Sequence, residues 1–527
     1  MLIDLRRFPD ETPQEAETLI IGAGAVGLAM AVELHRKGCK AIVLEAGGAS
    51  IEADSQDYFL TARCCARTLP GLHLARFRAL GGATNFWGGQ LLTFEPLVLQ
   101  HRPWVADIGW PIAREELDPY YQRGYALLGM DRHLADAQVW QRLGIELPAS
   151  EGALEGIFSA WAPEPNFAAL YGREIAASPN VRVFLNAPAL ALEMDAAKER
   201  ILGVFVRSAS GAARRFAARR VILANGTVEI ARLLKLPLAD GSAAPWANNN
   251  WLGRGFSDHV DCWAGEVSPL DKKRFHNLFD NAYLDGIKYA PKIKPSAPVQ
   301  RERRLLGISG HFLFNSSFEE HIFNAKLLMR SLFRGRLERQ LVPSARSFAS
   351  MLRVALPMVV RYLRSHRMYN PADQGIRLRL CCEQFPLRES AVRLGDTRDR
   401  LGMPVVEMDW RVDGREVETM ATFSEMLAAW LERHGLARLR LDPTLAARDP
   451  AFAQRFDDGY HHMGTARMAD SSAAGVVDRN LKVFGTHNLY VAGAAVYPTT
   501  GSANPTFTAI ALGLRLANAI GNDHASA

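Results

Sequence analysis

The segment TLIIGAGAVG, at Thr18–Gly27, decides the fold of this chain. Its first four residues form a short apolar run, which is typical of a buried parallel strand. Gly22, Gly24 and Gly27 then follow with G-x-G-x-x-G spacing. In this spacing the first glycine permits a tight turn, the second lets the backbone approach a pyrophosphate, and the third lets helix and strand pack closely. The segment therefore predicts a strand, turn and helix that bind a dinucleotide.

The residues after this motif complete a strand–helix–strand unit. Leu28–Arg36 favours a helix that ends at Gly38, and Ala41–Leu44 predicts a second buried strand. Glu45 ends that strand, 18 residues after Gly27, at the place where an acid accepts hydrogen bonds from a ribose. A glycine turn in an ordinary α/β fold is the alternative, and it does not account for the acid at the strand end.

Length and composition describe a globular protein of more than one domain. The chain has 527 residues, of which 48% are hydrophobic and 22% are charged. Six cysteines without a C-x-x-C pair argue against a zinc site and a disulfide framework, so we expect no metal and a reducing compartment. The N-terminal residues lack the apolar core of a signal peptide, and no stretch has 18 uninterrupted apolar residues. These features predict a cytoplasmic location. Contact with the inner face of a membrane and export with a signal-bearing partner remain open.

Two C-terminal segments carry the second informative pattern: YHHMGTARM at Tyr460–Met468 and GSANPTFTAIALGLRLANAI at Gly501–Ile520. Further motifs occur in the same order along the chain: RALGGATNFWGG at Arg78–Gly89, VILANGTVEIARLL at Val221–Leu234, LGRGFSDHVD at Leu252–Asp261, and the segment Leu378–Trp410. With these motifs the chain resembles the glucose–methanol–choline (GMC) oxidoreductases over most of its length. The motif G-G-x-T-x-x-W-G-G is similar to the bacterial branch with pyranose oxidases and sugar dehydrogenases.

The resemblance implies an α/β fold, α+β overall, with two discontinuous domains. A Rossmann-like FAD-binding domain would comprise residues 1–100, 180–265 and 455–527. A substrate domain built on an antiparallel sheet would comprise residues 101–179 and 266–454. The FAD is expected to be noncovalent, because Phe86 stands where pyranose oxidases carry the histidine that is bonded to the flavin.

The resemblance also implies which residues contact the flavin. They share positions in glycine-rich turns or next to them: Gly22, Gly24, Gly27, Glu45, Gly81, Gly82, Asn85, Trp87, Gly88, Gly493 and Ala494. The alternative for the glycines is that they only form tight turns. Arg467 is interpreted as a structural ion-pair partner, and we assign no catalytic role to His259.

The predicted chemistry depends on His461 and Asn504. Dehydrogenation of an alcohol removes the hydroxyl proton and a hydride from carbon, and in this family flavin N5 takes the hydride. A histidine suits the role of base near neutral pH. The amide of Asn504 can hold the substrate oxygen in place, and Asn504 can also cap the following helix. Adjacent side chains of an extended segment face opposite ways. The family register selects His461 as the catalytic residue and leaves His462 a structural one.

These features together predict an FAD-dependent oxidoreductase that acts on the CH–OH group of a small alcohol, favouring a sugar or glycoside. A lipophilic or sterol-like alcohol, or a lipid-linked sugar at a membrane surface, is the alternative substrate. A flavoprotein without turnover, serving as a binding protein, is the alternative class, and the intact pair His461 and Asn504 argues against it. The electron acceptor stays open among oxygen, quinone and cytochrome.

A basic segment stands apart from these motifs. Residues 323–368 contain ten Lys or Arg and one acid, Glu338, and Ser350–Leu363 is apolar over much of its length. The segment is interpreted as a packed helix with a solvated basic face, as a peripheral membrane contact, or as a site for an anionic substrate. We expect no nucleic-acid partner, because no base-stacking or groove-reading motif accompanies the basic residues.

Overall fold

The computed structural model describes residues 1–7, 14–207, 213–317 and 359–526. The strands are β1 Leu2–Asp4, β2 Gln14–Ile21, β3 Ala41–Leu44, β4 Arg63–Cys64, β5 Gln90–Leu91, β6 Leu154–Trp161, β7 Val181–Leu185, β8 Ala189–Met194, β9 Ile201–Arg207, β10 Ala213–Leu223, β11 His259–Pro269, β12 Ala282–Leu284, β13 Ile287–Pro295, β14 Ile308–Phe314, β15 Ile376–Glu383, β16 Ala391–Arg398, β17 Pro404–Asp409, β18 Ala437–Leu441, β19 Asp457–Asp458 and β20 Leu489–Val491.

The helices whose bounds are described are α1 Ala25–Arg36, α2 Ala53–Leu60, α3 Gly71–Leu74, α4 Pro96–Leu99, α5 Asp118–Leu127, α6 Asp136–Leu143, α7 Phe167–Ala177, α8 Thr227–Lys235, α9 Lys272–Phe279, α10 Ala297–Glu302, α11 Glu416–Arg433, α12 Pro443–Ala446 and α13 Pro505–Ser526. Short 3₁₀ helices occupy Gly82–Asn85, Arg114–Glu116, Pro450–Arg455 and Ala494–Val496.

The first sheet contains the predicted dinucleotide-binding unit. Its strand order is β1-β7-β3-β2-β10-β9-β8, and β20 also pairs with β10. The strands from β1 to β10 along this order, and β20, run parallel, whereas β9 and β8 are antiparallel additions. All four residues of β3 are buried, as expected for a parallel strand with both faces covered. Helix α1 packs against α7 and α13. The predicted Rossmann-like architecture is confirmed.

The second sheet is larger and antiparallel throughout its described pairings. Its order is β18-β11-β15-β14-β13-β6-β5, with β12 beside β13 and β19 beside β11. One face is apolar and forms a core with α11 through residues such as Leu378, Leu380 and Phe423. The substrate domain predicted on an antiparallel sheet is therefore confirmed as a fold.

The opposite face of this sheet is polar, and we call it the inner face. The strand register places these side chains on it: Trp161, His259, Asp261, Lys292, Ser309, His311, Arg379 and Cys381. The Cys381 thiol lies 3.7 Å from the carbonyl oxygen of Ser502, two residues before Asn504. The inner face is thus turned towards the C-terminal segment of the first domain.

The chain divides between the sheets at slightly different places from the predicted domain limits. Strand β5, at Gln90–Leu91, belongs to the second sheet, although residues 1–100 were assigned to the cofactor domain. Strand β11 begins at His259 and also crosses the predicted limit at residue 265. Both strands place residues from the predicted cofactor segments in the second sheet. The chain therefore passes from one domain to the other at these strands.

Most of the basic segment 323–368 lies outside the described residues. In its described end, residues 359–365 are helical, and Val359, Val360, Tyr362 and Leu363 are exposed. Arg361 forms a 2.8 Å ion pair with the buried carboxylate of Asp280. Over the described ranges, no helix combines the length and the apolar character that crossing a bilayer requires.

Candidate functional site

The glycine loop after β2 forms one wall of a cavity. Gly22 has a φ of +102°, and a Cβ on Gly27 would lie 1.9 Å from the carbonyl oxygen of Gly22. These two glycines are therefore required by the turn and by the close packing of α1. A Cβ on Gly24 would meet nothing within 4 Å, and Gly24 lines the cavity. The loop thus presents bare backbone to a ligand, as the spacing predicts.

Glu45 stands at the carboxyl end of β3 and lines the same cavity. Its carboxylate is buried and accepts hydrogen bonds of 2.9 Å from the backbone N–H groups of Ala23 and Gly47, one on each oxygen. Burial raises the pKa of Glu45, and the two N–H donors oppose this rise. Each carboxylate oxygen has a further acceptor position. Glu45 can therefore hold the glycine loop and accept hydroxyl groups of a ribose at once.

The second predicted flavin loop packs against the glycine loop. The N–H of Gly81 donates to the carbonyl oxygen of Ala23 at 2.8 Å. A Cβ on Gly82 would lie 2.9 Å from the Cα of Gly24, and Gly82 lines the cavity. The close approach of these two loops therefore requires glycine at position 82.

The other predicted residues of this loop hold its shape. The side-chain amide of Asn85 donates to the carbonyl oxygens of Leu80 and Gly82, at 3.0 and 2.8 Å. The Trp87 indole N–H donates to the carbonyl oxygen of Pro165 at 2.8 Å, and Gly88 lies against the ring of Trp161. Direct contact of Asn85, Trp87 and Gly88 with a cofactor stays a prediction.

Two further chain segments complete the cavity wall. Gly493 and Ala494, which follow β20, line it as the resemblance implies. Asn225 lines it too, although no role is predicted for this residue from sequence. Its Oδ1 is buried and has no hydrogen-bond partner among the residues that the structure describes. The signal for Asn225 is its position after β10, because ligands of parallel sheets bind at the carboxyl ends of the strands.

These observations test whether the residues present fit FAD. The glycine loop leaves room for a pyrophosphate beside Gly24, Glu45 offers acceptor positions for a ribose, and Asn225 carries an unsatisfied oxygen. The cavity extends from Glu45 to Tyr460, His461 and His462. The lining therefore fits a long dinucleotide whose far end reaches the predicted catalytic residues.

The structure brings His461 and Asn504 together. His461 Nε2 lies 3.0 Å from the Asn504 side-chain nitrogen, although the residues are 43 positions apart in sequence. Asn504 directly precedes α13, so the helix start holds its side chain at this place. The amide nitrogen can only donate, and Nε2 of His461 therefore acts as the acceptor.

His259 completes a hydrogen-bonded chain that assigns the tautomer of His461. His259 Nε2 lies 2.9 Å from the carbonyl oxygen of Gly501, which only accepts, so Nε2 carries the proton. His259 Nδ1 is then the acceptor for the Nδ1 proton of His461, at 2.9 Å. Burial lowers the pKa of His259 to about 4 and that of His461 well below its usual value of 6.5. Both rings are therefore neutral at pH 7, and His461 Nε2 keeps its lone pair.

His462 faces a different environment from His461, as expected for neighbours in an extended segment. Its ring lies 5.6 Å from that of Phe256, and its Nε2 is 3.9 Å from the buried carboxylate of Asp258. Burial lowers the pKa of His462 to about 3. Asp258 Oδ1 accepts the backbone N–H of His461 at 2.9 Å, and so fixes the backbone directly before the two histidines.

A buried ion pair holds the segment that leads to Asn504. Arg102 donates to both oxygens of Glu383, at 2.7 and 2.8 Å, and both side chains are fully buried. Glu383 also accepts the backbone N–H groups of Thr500 and Gly501, at 3.0 and 2.9 Å. Burial disfavours its charge, but Arg102 and these donors prevail and lower the pKa of Glu383 to about 2. Glu383 thereby positions Gly501, the residue whose carbonyl oxygen accepts the hydrogen bond from His259 Nε2.

The remaining predicted residue near the site is structural in its contacts. Arg467 forms a bidentate ion pair with Asp107, at 2.9 and 3.1 Å, and lies over the ring of Trp251. It also donates to the carbonyl oxygen of Ala474. These contacts agree with the interpretation of Arg467 as an ion-pair partner.

The inner face of the second sheet lies beside His259 and carries polar atoms that lack partners. Trp161 Nε1, Asp261 Oδ1, Ser309 Oγ and His311 Nδ1 are buried without a hydrogen bond to any described residue. Buried polar atoms are normally paired. Their arrangement on one face, next to the histidine chain, is what a site for a substrate with several polar groups requires.

Comparison with known proteins supports the resemblance. Residues 386–513 match the family model described as GMC oxidoreductase. The 2-methyl-1,2-propanediol dehydrogenase of Mycolicibacterium austroafricanum is 22% identical over 95% of this chain and 94% of its own length. The resemblance predicted from the motifs is confirmed over residues 386–513.

A second relative matches over a shorter stretch. The paromamine 6'-oxidase of Streptomyces fradiae is 30% identical over 148 residues, which are 28% of this chain and 26% of that protein. The alignment thus spans about a quarter of that relative. Among solved structures, a formate oxidase superposes with a TM-score of 0.58 at 15% identity, covering 98% of this chain and 99% of that one. This last likeness shows a shared fold.

Proposed function

We propose that this chain oxidises the CH–OH group of a small alcohol with FAD as cofactor, and that the substrate is a sugar or glycoside. The observation that carries the proposal is the pair formed by His461 Nε2 and the Asn504 amide at 3.0 Å, at one end of a cavity that fits a dinucleotide. The names of two relatives, a paromamine 6'-oxidase and a diol dehydrogenase, agree with oxidation of hydroxyl groups.

The chain's own residues supply the proton chemistry. FAD, when held by the glycine loop, Glu45 and Asn225, supplies the acceptor for the substrate's hydride. The tautomer that His259 imposes leaves the lone pair of His461 on Nε2, where the Asn504 amide N–H meets it at 3.0 Å. The substrate hydroxyl takes the place of this N–H on Nε2 and transfers its proton to it. Asn504 donates an N–H group to the substrate oxygen and keeps the carbon–hydrogen bond aligned. The neutral state of His461 at pH 7 keeps it ready to accept a proton.

The inner face favours a polyhydroxylated substrate over the alternative of a lipophilic alcohol. An apolar substrate would leave Trp161 Nε1, Asp261 Oδ1, Ser309 Oγ and His311 Nδ1 buried and unpaired. Each unpaired buried polar group costs about 1–3 kcal/mol. Hydroxyl groups both donate and accept, so a sugar can satisfy donors and acceptors on one surface.

We also propose that the FAD is noncovalent. Phe86 is 57% exposed and lies 5.6 Å from the ring of Phe77, and its side chain offers no atom that bonds to a flavin. Acid precipitation of the purified protein should release yellow FAD into the supernatant. Flavin that stays with the pellet would contradict this expectation.

Anaerobic flavin bleaching with a panel of sugars, glycosides and lipophilic alcohols tests the function. The flavin of the parent protein should be reduced by a sugar or glycoside. His461→Ala should bind FAD but lose reduction by about 10²–10⁴-fold, the usual contribution of a general base. His462→Ala is the matched control and should retain much more of the rate, because His462 contacts Phe256 and Asp258 instead of Asn504. Dithionite must reduce every variant. Equal rates in His461→Ala and the parent would refute the assignment.

A further inference from the structure

A buried lysine on the inner face has no counter-charge in the described structure. Lys292, on β13, is 5% exposed and donates no hydrogen bond to any residue that the structure describes. Lys294, two residues further on the same strand, is equally buried but pairs with Glu95 at 3.0 Å and Glu155 at 2.6 Å. The charge of Lys294 is therefore compensated by two carboxylates, whereas the charge of Lys292 is not compensated by any described residue.

Lys292 lies next to the proposed catalytic histidines. The register pairs Ile293 with Gly310, which places Lys292 beside His311 on the inner face. Its charge contributes to the lowered pKa values of His311, His259 and His461, after the larger effect of burial. The positive charge of Lys292 therefore disfavours the protonated form of His461.

The nearby carboxylates of the inner face are already engaged. Asp261 accepts from Arg379 at 3.0 Å, and Glu383 is bound by Arg102 and by backbone N–H groups. The charge of Lys292 lowers the pKa values of three histidines, His259, His311 and His461, and these carry no negative charge that could compensate it. A buried cation without a counter-ion is strongly unfavourable unless a ligand supplies the charge.

We propose that Lys292 binds an anionic group, a carboxylate or a phosphate, carried by the substrate. The inference rests on the proposed function and narrows its substrate class to acidic sugars. Lys292 Nζ donates to the anion, while the unpaired atoms of Ser309, His311 and Asp261 meet the hydroxyl groups of the same molecule. The hydroxyl that reacts with His461 then lies on a carbon close to the anionic substituent.

Lys292 could instead serve only to keep His461 neutral, and this role predicts a different result for the Lys292 variants. If its charge served only to keep His461 neutral, removing it would change the reaction of neutral and acidic sugars alike. The two roles are separated by comparing probes that share a ring and differ in charge.

The experiment titrates the FAD-loaded protein with D-glucose, D-glucuronate and D-glucose 6-phosphate, following both the flavin absorbance shift on binding and anaerobic flavin reduction. At least one acidic probe should bind about 10–100-fold more tightly than D-glucose, as expected for a charge-assisted hydrogen bond. The two acidic probes distinguish carboxylate from phosphate. Lys292→Met should abolish the preference without unfolding the chain, since the replacement is apolar and similar in length. Lys292→Arg should retain much of it.

Lys272→Met is the control for net charge, because Lys272 is exposed on α9, and it should leave the preference unchanged. Acidic probes that bind no more tightly than D-glucose, or a Lys292→Met variant that weakens all three probes equally, would overturn the inference. Reduction by neutral sugars without an acidic preference would leave the proposed function standing. Tight binding of an acidic probe that never reduces the flavin would support anion binding by Lys292 and count against the proposed oxidation of sugars.

Discussion

Replacing His259 with leucine removes the acceptor that holds the Nδ1 proton of His461. In the parent protein His259 Nε2–H donates a hydrogen bond to the carbonyl oxygen of Gly501. His259 Nδ1 accepts a hydrogen bond of 2.9 Å from the Nδ1–H of His461. Leucine keeps much of the buried volume but offers no acceptor. We therefore expect His259→Leu to fold and bind FAD, and to reduce its flavin more slowly with substrate.

The magnitude follows from the bond that is lost. A buried donor left without a partner costs about 1–3 kcal/mol. The ring of His461 can escape this cost by moving its proton to Nε2 or by rotating away from Asn504, and either change removes the base from the substrate. If the whole cost falls on the reaction, flavin reduction slows by about 5–150-fold.

The assay compares two replacements of one residue. Asparagine can place its Oδ1 close to the position of His259 Nδ1, so His259→Asn should recover much of the rate that His259→Leu loses. Stopped-flow flavin reduction gives the rates, and ¹⁵N chemical shifts of His461 report which ring nitrogen carries the proton. A His259→Leu variant that reduces at the parental rate, or that retains the Nδ1-protonated ring, would refute the reasoning.

Further expectations concern the buried ion pair, pH and the membrane. Glu383→Gln should lower the free energy of unfolding by about 3–5 kcal/mol, because Arg102 stays buried without its charged partner. Glu266→Gln, in the exposed pair with Arg440, should change the free energy of unfolding by less than about 1 kcal/mol. Urea unfolding measures both changes. The pKa of His259 is about 4 in the folded chain and near 6.5 when unfolded, so the unfolded state binds more protons between these values. Stability should therefore fall as pH drops from about 6.5 to 4, and a constant melting temperature there would contradict this account. Flavin reduction should not decline as pH falls through 6.5, since the pKa of His461 lies well below that value; a rate that halves near pH 6.5 would indicate a solvent-exposed base. If residues 323–368 dock on membranes, Leu363→Glu should reduce co-sedimentation with anionic liposomes at low salt, while Lys272→Met should not; absence of parental sedimentation would favour the packed-helix interpretation.

Local sequence patterns were sufficient to predict the cofactor-binding sheet. The four residues Ala41–Leu44 form β3 with the predicted bounds, because an apolar run between a helix-ending glycine and an acid has few other uses in an α/β fold. The strand before the glycine loop begins at Gln14, four residues earlier than predicted. Its first residues are mostly polar and are not buried, so hydrophobic periodicity does not reveal them.

The proposed catalytic pair was predictable from motifs, whereas its surroundings were not. His461 and Asn504 stand in recognisable segments. The contacts of His259 and Lys292 depend on which strands become neighbours and which side chains share a face. Those relations are set by tertiary pairing between residues more than 100 positions apart, such as β11 with β15. A single sequence carries no local signal for them.

The position of β20 has a consequence for the order of assembly. This three-residue strand, Leu489–Val491, adds to β10 in the first sheet, and the helix that follows Asn504 covers α1. A ribosome makes these pieces more than 450 residues after β2. Part of the sheet of the N-terminal nucleotide-binding unit and one side of α1 therefore stay uncovered until β20 and α13 have been made. Flavin loading is then a late step of biogenesis, and chains that stop before residue 489 should be captured by chaperones as colourless, incompletely closed intermediates.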